Sequence, residues 1–503
     1  MFLIKKLLIL SEFLKLKKNI LIYIICSPLI GFLILLFSPK HNEKFLKLTA
    51  FISSSIAFLL TLLLWGFFDK KLGIFQHVVQ FFWWPALNLN FTLGVDGISI
   101  LFLLLNTFLI PLCILCSWGS VKFNLKEFLM AFLMLDFLLI GVFCTLDLLF
   151  FYIFFESVLI PMYLIIGIWG SRARKILAAY YFFMYTLLGS ALMLVSIAYI
   201  YWQAGTTDYE VLLTFHFSKF EQSFLWLTFF MAFASKVPMI PTHLWLPEAH
   251  VEAPTAGSVL LAGILLKLGT YGFIRFSLPL FPYASFYYAP LVDTLATVGI
   301  IFTSFTAIRQ TDFKRIIAYT SIAHMNLVVI GIFSFNSIGI EGAIFQSLSH
   351  GFVASALFLI IGVVYERHGT RLVYYYGGLT SVMPLFSFVF LFFSFANMAF
   401  PGTSSFVGEF LILTGSFTTN KIVTIFSATG IIISGAYSLW LFNRIAYGNL
   451  KTLYITQFLD ISPREFCIFL PLVLGTLLAG IYPNFFLTTM HMSVNYTLEL
   501  MYI

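Results

Sequence analysis

The chain has 503 residues, of which 61% are hydrophobic and only 10% charged, with a mean hydropathy of +1.00. A soluble domain carries about 25% charged residues, so this composition excludes one, and apolar runs from end to end exclude a soluble core on a single anchor. The formal net charge of +7 comes largely from lysines and arginines between those runs, which suits loops at a membrane surface and gives no sign of nucleic acid.

Apolar segments of 18 or more residues read as spanning helices, and the alternating pattern of a membrane barrel is absent. The predicted fold class is therefore an all-α polytopic membrane protein. Five cysteines (Cys26, Cys113, Cys116, Cys144 and Cys467) form no metal framework. Cys113-x-x-Cys116 lies inside an apolar span with no second pair, and reads as helix packing. No G-x-G-x-x-G, Walker loop or iron–sulfur spacing is present, so the chain shows no equipment of its own for nucleotide or redox chemistry.

The first residues, MFLIKKLLILSEFLKLKK, are basic and apolar without a small-residue cleavage site, which suits a surface-lying amphipathic helix. Phenylalanine supplies 62 residues, a bias that accompanies AT-rich genomes and points to an organellar gene. Fourteen spans follow: 19–37, 46–67, 96–117, 127–144, 148–169, 176–202, 223–246, 255–275, 288–308, 313–333, 340–365, 380–415, 422–447 and 465–487. Spans 7 and 12 are interrupted, the first at Pro238 and Pro241, the second at Pro401 and Gly402. Breaks five spans apart are expected of two inverted five-helix repeats. The expected organisation is an N-terminal arm with spans 1–3 (residues 1–120), repeats over 121–280 and 281–450, and a C-terminal helix within 451–503.

Of the 28 Lys and Arg residues, sixteen fall in loops after odd-numbered spans, including Lys122, Arg172, Arg174, Lys175, Lys314, Arg315 and Arg371. Ten, Arg275 among them, fall on the other face, and Lys236 and Lys267 are left within spans. The positive-inside rule then places the odd loops in the matrix or cytoplasm.

Lys236 lies 15 residues past Glu221, about 22 Å of helix, and so deep in a bilayer. Pro238 and Pro241 remove backbone donors beside it and free nearby carbonyls. Lys267 sits within the next apolar run. A lysine at a bilayer centre costs roughly 2.5–3.5 kcal/mol, and a broken helix with a mid-membrane charge is the pattern of an ion or proton path. Snorkelling, the plainer reading, suits helix ends rather than these positions.

Glu156, nine residues into span 5, is either a neutral acid bonded to a neighbouring helix or the partner of Lys236. A lone buried carboxylate goes neutral, whereas one beside a lysine stays charged. His324 and His350, in spans 10 and 11, would singly read as packing residues. Together with Glu409, which follows the second break, they make a series of buried titratable groups such as a relay needs. Asp136 extends a watery path or bonds a neighbouring helix, and the sequence favours neither. Asp96, Asp147, Glu248, Glu252 and Asp312 lie near span ends, where caps and loop ion pairs are the default.

The runs FFESVLIPMYLIIGIWG, KVPMIPTHLWLPEAHVEAPTAGSVLLAGILLKLGTYG, DFKRIIAYTSIAHMN and FPGTSSFVGEF resemble the chain 4 family of NADH:ubiquinone oxidoreductase (respiratory complex I). These antiporter-like subunits are related to Mrp-type cation/proton antiporters and membrane-bound hydrogenases. The likeness covers roughly residues 90–450 and is most specific from 236 to 275. It implies a buried Glu156–Lys236 pair, a central relay at Lys267, His324 and His350 on a hydrophilic axis, and Glu409 as the span-12 terminus. Glutamate at that last position resembles chain 4 rather than chains 2 and 5, which usually carry lysine. The resemblance further implies proton translocation across the mitochondrial inner membrane (or a bacterial plasma membrane), driven by quinone reduction elsewhere. NADH, FMN, iron–sulfur clusters and ubiquinone would then belong to partner subunits, with chains 2 and 5 and lipids as neighbours. An Mrp-type antiporter or hydrogenase subunit is the alternative.

Overall fold

The computed structural model describes residues 2–452 and 459–502. Its helices are α1 (Phe2–Phe37), α2 (Glu43–Phe67), α3 (Gly97–Cys116), α4 (Leu125–Cys144), α5 (Leu148–Trp169) and α6 (Lys175–Ala204). Then come α7 (Lys219–Lys236) and α8 (Trp245–Glu252), the two halves of span 7, and α9 (Thr255–Leu280). Next are α10 (Pro282–Arg309), α11 (Phe313–Ile332) and α12 (Ser337–His368). Span 12 is divided into α13 (Pro384–Asn397) and α14 (Ser404–Thr419), and the chain closes with α15 (Lys421–Ala446), α16 (Pro463–Ile481) and α17 (Asn484–Tyr502). Among the described residues, twelve helices are long and apolar enough to cross a membrane. The two broken spans make fourteen, and the basic N-terminal arm runs into α1 as one helix.

Helix starts follow the cap chemistry in the sequence. Asp96 with Ser99, Ser218 with Glu221, and Ser462 with Glu465 form reciprocal capping boxes at α3, α7 and α16. Asp147 and Asp312 accept from the first backbone N–H groups of α5 and α11. The breaks are equally local. Prolines end α7, while Gly402 takes φ +92° in the second break, a left-handed backbone that glycine adopts without a Cβ clash.

Burial orders the bundle. The most apolar stretch of α9 is 100% buried inside the chain, against 33% for α2, α15 and α16, so α9 is central and those three are peripheral. Gly269 brings α9 against α7: a Cβ there would meet the Phe233 carbonyl oxygen at 2.7 Å and the Lys236 Cβ at 3.2 Å. The helix also changes pitch twice, with π-helical turns at Leu261–Leu265 and Phe273–Ser277 on either side of Lys267. Such turns release carbonyls from the regular ladder and recur at functional sites.

Several features depart from the sequence reading. An antiparallel hairpin, β1 (Gln76–Trp84) and β2 (Leu89–Val95), joins α2 to α3 and pairs Phe81 with Phe91. The last span ends at Ile481, and a separate helix, α17, packs back on α3 and α12. Lys236 and Lys267 are also not the only buried cations. Arg275, Lys314 and Arg371 are 3%, 2% and 1% exposed. Each is buried because carboxylates or carbonyls meet it at a helix end. Arg275 pairs with Asp96 at 2.6 Å, Lys314 donates to the Ala253 carbonyl at 2.7 Å, and Arg371 donates to the Val251 carbonyl.

Candidate functional site

The first break sets Lys236 on the last turn of α7, with its side chain buried. The carbonyls freed there are taken by other groups. Thr242 donates to Ala234 at 3.1 Å and the Trp245 indole to Ser235 at 2.9 Å. Among the described residues the Lys236 ammonium has no hydrogen-bond partner. It lies instead over two aromatic faces, 4.8 Å from the Phe155 centroid and 5.8 Å from that of Phe182, where ring quadrupoles attract a cation. Glu156 follows Phe155 on α5, just before the helix is interrupted at Val158. Among the described residues neither of its buried carboxyl oxygens closes a hydrogen bond, and the Ser190 side chain faces them. Glu156 and Lys236 therefore act on one another electrostatically across a gap, not through a closed ion pair.

Lys267 comes next, on the helix that Gly269 holds against Lys236. It is 0% exposed. Its Nζ donates to the Ala262 carbonyl, within the first π-helical turn, at 2.5 Å, and lies 2.7 Å from His350 Nδ1 on α12. The His350 and His324 rings are 6.0 Å apart between centroids. His324 Nδ1, on α11, is 3.0 Å from Glu409 Oε1 on α14, and Gln346 Nε2 of α12 donates to the same oxygen at 3.1 Å. Lys267, His350, His324 and Glu409 thus form one buried line across four helices, with direct contacts at its two ends and neighbouring imidazole rings between them. Glu156 and Lys236 stand at its end, joined to it through the α7–α9 contact.

The prolines and Gly402 contribute backbone only, by ending the helices that present Lys236 and Glu409. Asp136 accepts from Asn106 Nδ2 of α3 at 2.8 Å, a bond between neighbouring helices away from the line. Among the span-end acids, Asp147 and Asp312 act as caps and Glu248 pairs with Arg315 at 2.6 Å. Asp96 does both, since it caps α3 and neutralises Arg275. Cys113 and Cys116 are buried in α3, against the Ala256 carbonyl and the Thr255 hydroxyl. Among the described residues no group of three or more His, Cys, Asp or Glu side chains could hold a metal ion.

A family model described as NADH:quinone oxidoreductase/Mrp antiporter, TM, matches residues 145–434. NADH-ubiquinone oxidoreductase chain 4 of Arabidopsis thaliana is 57% identical over 472 residues, 94% of this chain and 95% of that one. The protein of the same name from Chondrus crispus is 57% identical over 482 residues, 96% of this chain and 98% of its own. The chain belongs to the complex I chain 4 family of antiporter-like membrane subunits. Its fold superposes on a chain of respiratory complex I from Thermus thermophilus with bound NADH, with TM-score 0.87, 29% identity and coverage of 96% and 99%. A chain of the Mrp complex from Dietzia sp. shares the fold at TM-score 0.85 and 18% identity, covering 96% and 98%.

Within this family member, the sequence reading passed over two buried groups beside the line. His250, on α8, is 0% exposed and stacks on Phe358 with centroids 4.7 Å apart, and its ring nitrogens have no hydrogen-bond partner among the described residues. It feels the charges of both Lys267 and Lys314. Lys314 Nζ is 3.0 Å from Ser258 Oγ, which donates to the His250 carbonyl at 3.1 Å. A cleft of about 740 Å³ adjoins Lys314 and Arg371, with Lys122 and Glu366 also on its wall. The signal for His250 was its place in the second half of a broken span. For Lys314 it was the Asp312 cap, which puts the lysine in the first turn of α11 rather than in a loop.

Proposed function

We propose that this chain is a proton-translocating membrane-arm subunit of respiratory NADH:ubiquinone oxidoreductase, working in the mitochondrial inner membrane in response to quinone reduction in partner subunits. The observation that carries the reading is the buried series Lys267–His350 and His324–Glu409, two direct contacts whose imidazole rings lie 6.0 Å apart between centroids, all four groups able to gain or lose a proton. In this reading Glu156 and Lys236 form the switch. Drawing Glu156 toward or away from Lys236 changes the electrostatic hold on the ammonium proton, and the aromatic faces of Phe155 and Phe182 accommodate the cation between those states. Lys267 and His350 then pass the proton along the axis, and Glu409, after the second break, receives it. Moving one charge through 100 mV costs about 2.3 kcal/mol, so the driving energy enters from the redox subunits.

The same reading makes residues 121–280 and 281–450 two inverted repeats, each with one broken helix and one break-side charge. It makes the neighbouring antiporter-like chains 2 and 5, together with lipids, the partners, and leaves NADH, FMN, iron–sulfur clusters and ubiquinone to other subunits. The curated relatives at 57% identity support the complex I setting over an Mrp-type antiporter, to which the likeness is one of fold.

The test is Lys236→Arg in the assembled complex. Arginine keeps the charge but does not release its proton in a protein. A relay predicts full assembly with most proton translocation lost and quinone reduction slowed in step. Near-normal translocation in reconstituted vesicles, normalised to assembled complex, would sink the relay role of Lys236.

A further inference from the structure

Beyond Glu409 the bundle contains a small cavity that the line of titratable groups does not use. It lies between α10, α11, α14 and α15, has a volume of about 20 Å³, and is lined by Ile300, His324, Glu409, Ser427, Ser434 and Tyr437, among others. About 10–15 Å³ on this measure is enough for one water, provided that polar partners are present. Two of the lining polar atoms are buried without a protein hydrogen-bond partner among the described residues: His324 Nε2 and Tyr437 Oη. Buried donors and acceptors are rarely left so, and the shared cavity is where their missing partner fits. Tyr437 is 1% exposed. Its phenol feels the charge of Glu409, and the Asn397 side chain, on the last residue of α13 before the second break, faces it without closing a hydrogen bond.

We infer that this cavity binds a single water, held by Tyr437 Oη against Glu409 and His324 Nε2, and that Tyr437 thereby extends the proton path from α14 to α15. Glu409 Oε1 already accepts from His324 and Gln346. A water on the α15 side gives the carboxyl a second route for its proton, toward Tyr437, besides its direct contact with His324 Nδ1. The inference rests on the proton-path reading above.

Two measurements on the intact complex test it. The first is a single-particle map that resolves waters in the wild type and in Tyr437→Phe. The inference requires density within roughly 2.6–3.2 Å of Tyr437 Oη and a Glu409 oxygen in the wild type, lost in the variant. The second is proton translocation across a pH series. Phenylalanine keeps the ring and its packing, so assembly should hold, while translocation falls roughly tenfold with quinone reduction slowed in step, and the pH profile of translocation shifts. A dry wild-type cavity, or a variant with the wild-type rate and profile, overturns the inference without touching Lys236 or Lys267. Normal pumping by Lys236→Arg would instead remove the path reading, and Tyr437's role with it, while leaving the water density in place. The wild-type map judges the water whether or not the variant assembles.

Discussion

Lys267 Nζ lies 2.7 Å from His350 Nδ1, with its other contact the Ala262 carbonyl at 2.5 Å. A hydrogen bond between an amine and an imidazole needs a lone pair on one side, so the pair cannot hold a proton on both facing nitrogens. Protonating one member favours release from the other. The contact is therefore a one-proton junction, and this is what the centre of a relay requires.

Lys267→Gln follows directly. Glutamine can still donate to the Ala262 carbonyl but cannot carry the proton. The complex should assemble, and proton translocation should fall at least roughly tenfold, as befits a lost general acid–base group. Vesicle pumping divided by the amount of assembled complex measures this. A rate within twofold of wild type would show that the junction is bypassed.

Glu409→Gln tests the far end of the line. The amide fits the same volume and can accept from His324 or Gln346, but it holds no negative charge. Translocation should drop as strongly as for Lys267→Gln, with the two effects far from additive in the double variant because both interrupt one path. Additive losses would mean two separate routes.

Gly269→Ala disturbs the geometry with every charged residue intact. The new methyl would sit 2.5 Å from Val237 Cγ2 and 2.7 Å from the Phe233 carbonyl oxygen, and the backbone oxygen cannot simply rotate away. Overpacking of this kind costs typically 1–3 kcal/mol. The expected result is a lower melting temperature of the solubilised complex, with pumping reduced more than quinone reduction. Unchanged melting and pumping would show that α7 and α9 have slack at this contact.

Asp96→Ala separates stability from transport. It removes the α3 cap and leaves Arg275 as an unpaired buried cation, a loss of about 3–5 kcal/mol. Assembly should fail or fall sharply in native gels, whereas Asp96→Asn, which keeps the cap, should be milder. Equal yields for the two variants would show that the ion pair, not the cap, dominates.

Topology is tested by cysteine labelling in sealed vesicles. Sites at Lys122 and Arg174 should react from the matrix side, and sites at Lys70 and Lys219 from the other. The reverse pattern would overturn the orientation drawn from the loop charges.

The sequence alone determined the spanning character, the count of fourteen spans, the two breaks and the identities of the buried titratable residues. Each is a local property. Twenty apolar residues, a proline beside a lysine, or a glutamate after Pro401-Gly402 can be read without knowing what lies opposite. The sequence also put Asp147 and Asp312 at span ends, where a cap or a loop ion pair is the default, because a cap depends on only three or four residues. What it did not contain was any distance between helices. Glu156 and Lys236 stand across a gap beside aromatic faces, while Lys267 meets His350 and His324 meets Glu409, with the two rings neighbouring one another, and side-chain packing among six helices decides this. The close approach of α9 to α7 at Gly269 is likewise a matter of packing, and the burial of Arg275, Lys314 and Arg371 depends on carboxylates and carbonyls brought from distant segments. Residue type and depth are written along the chain. Contact is a property of the packed bundle, where a shift of an ångström decides whether two groups share a proton.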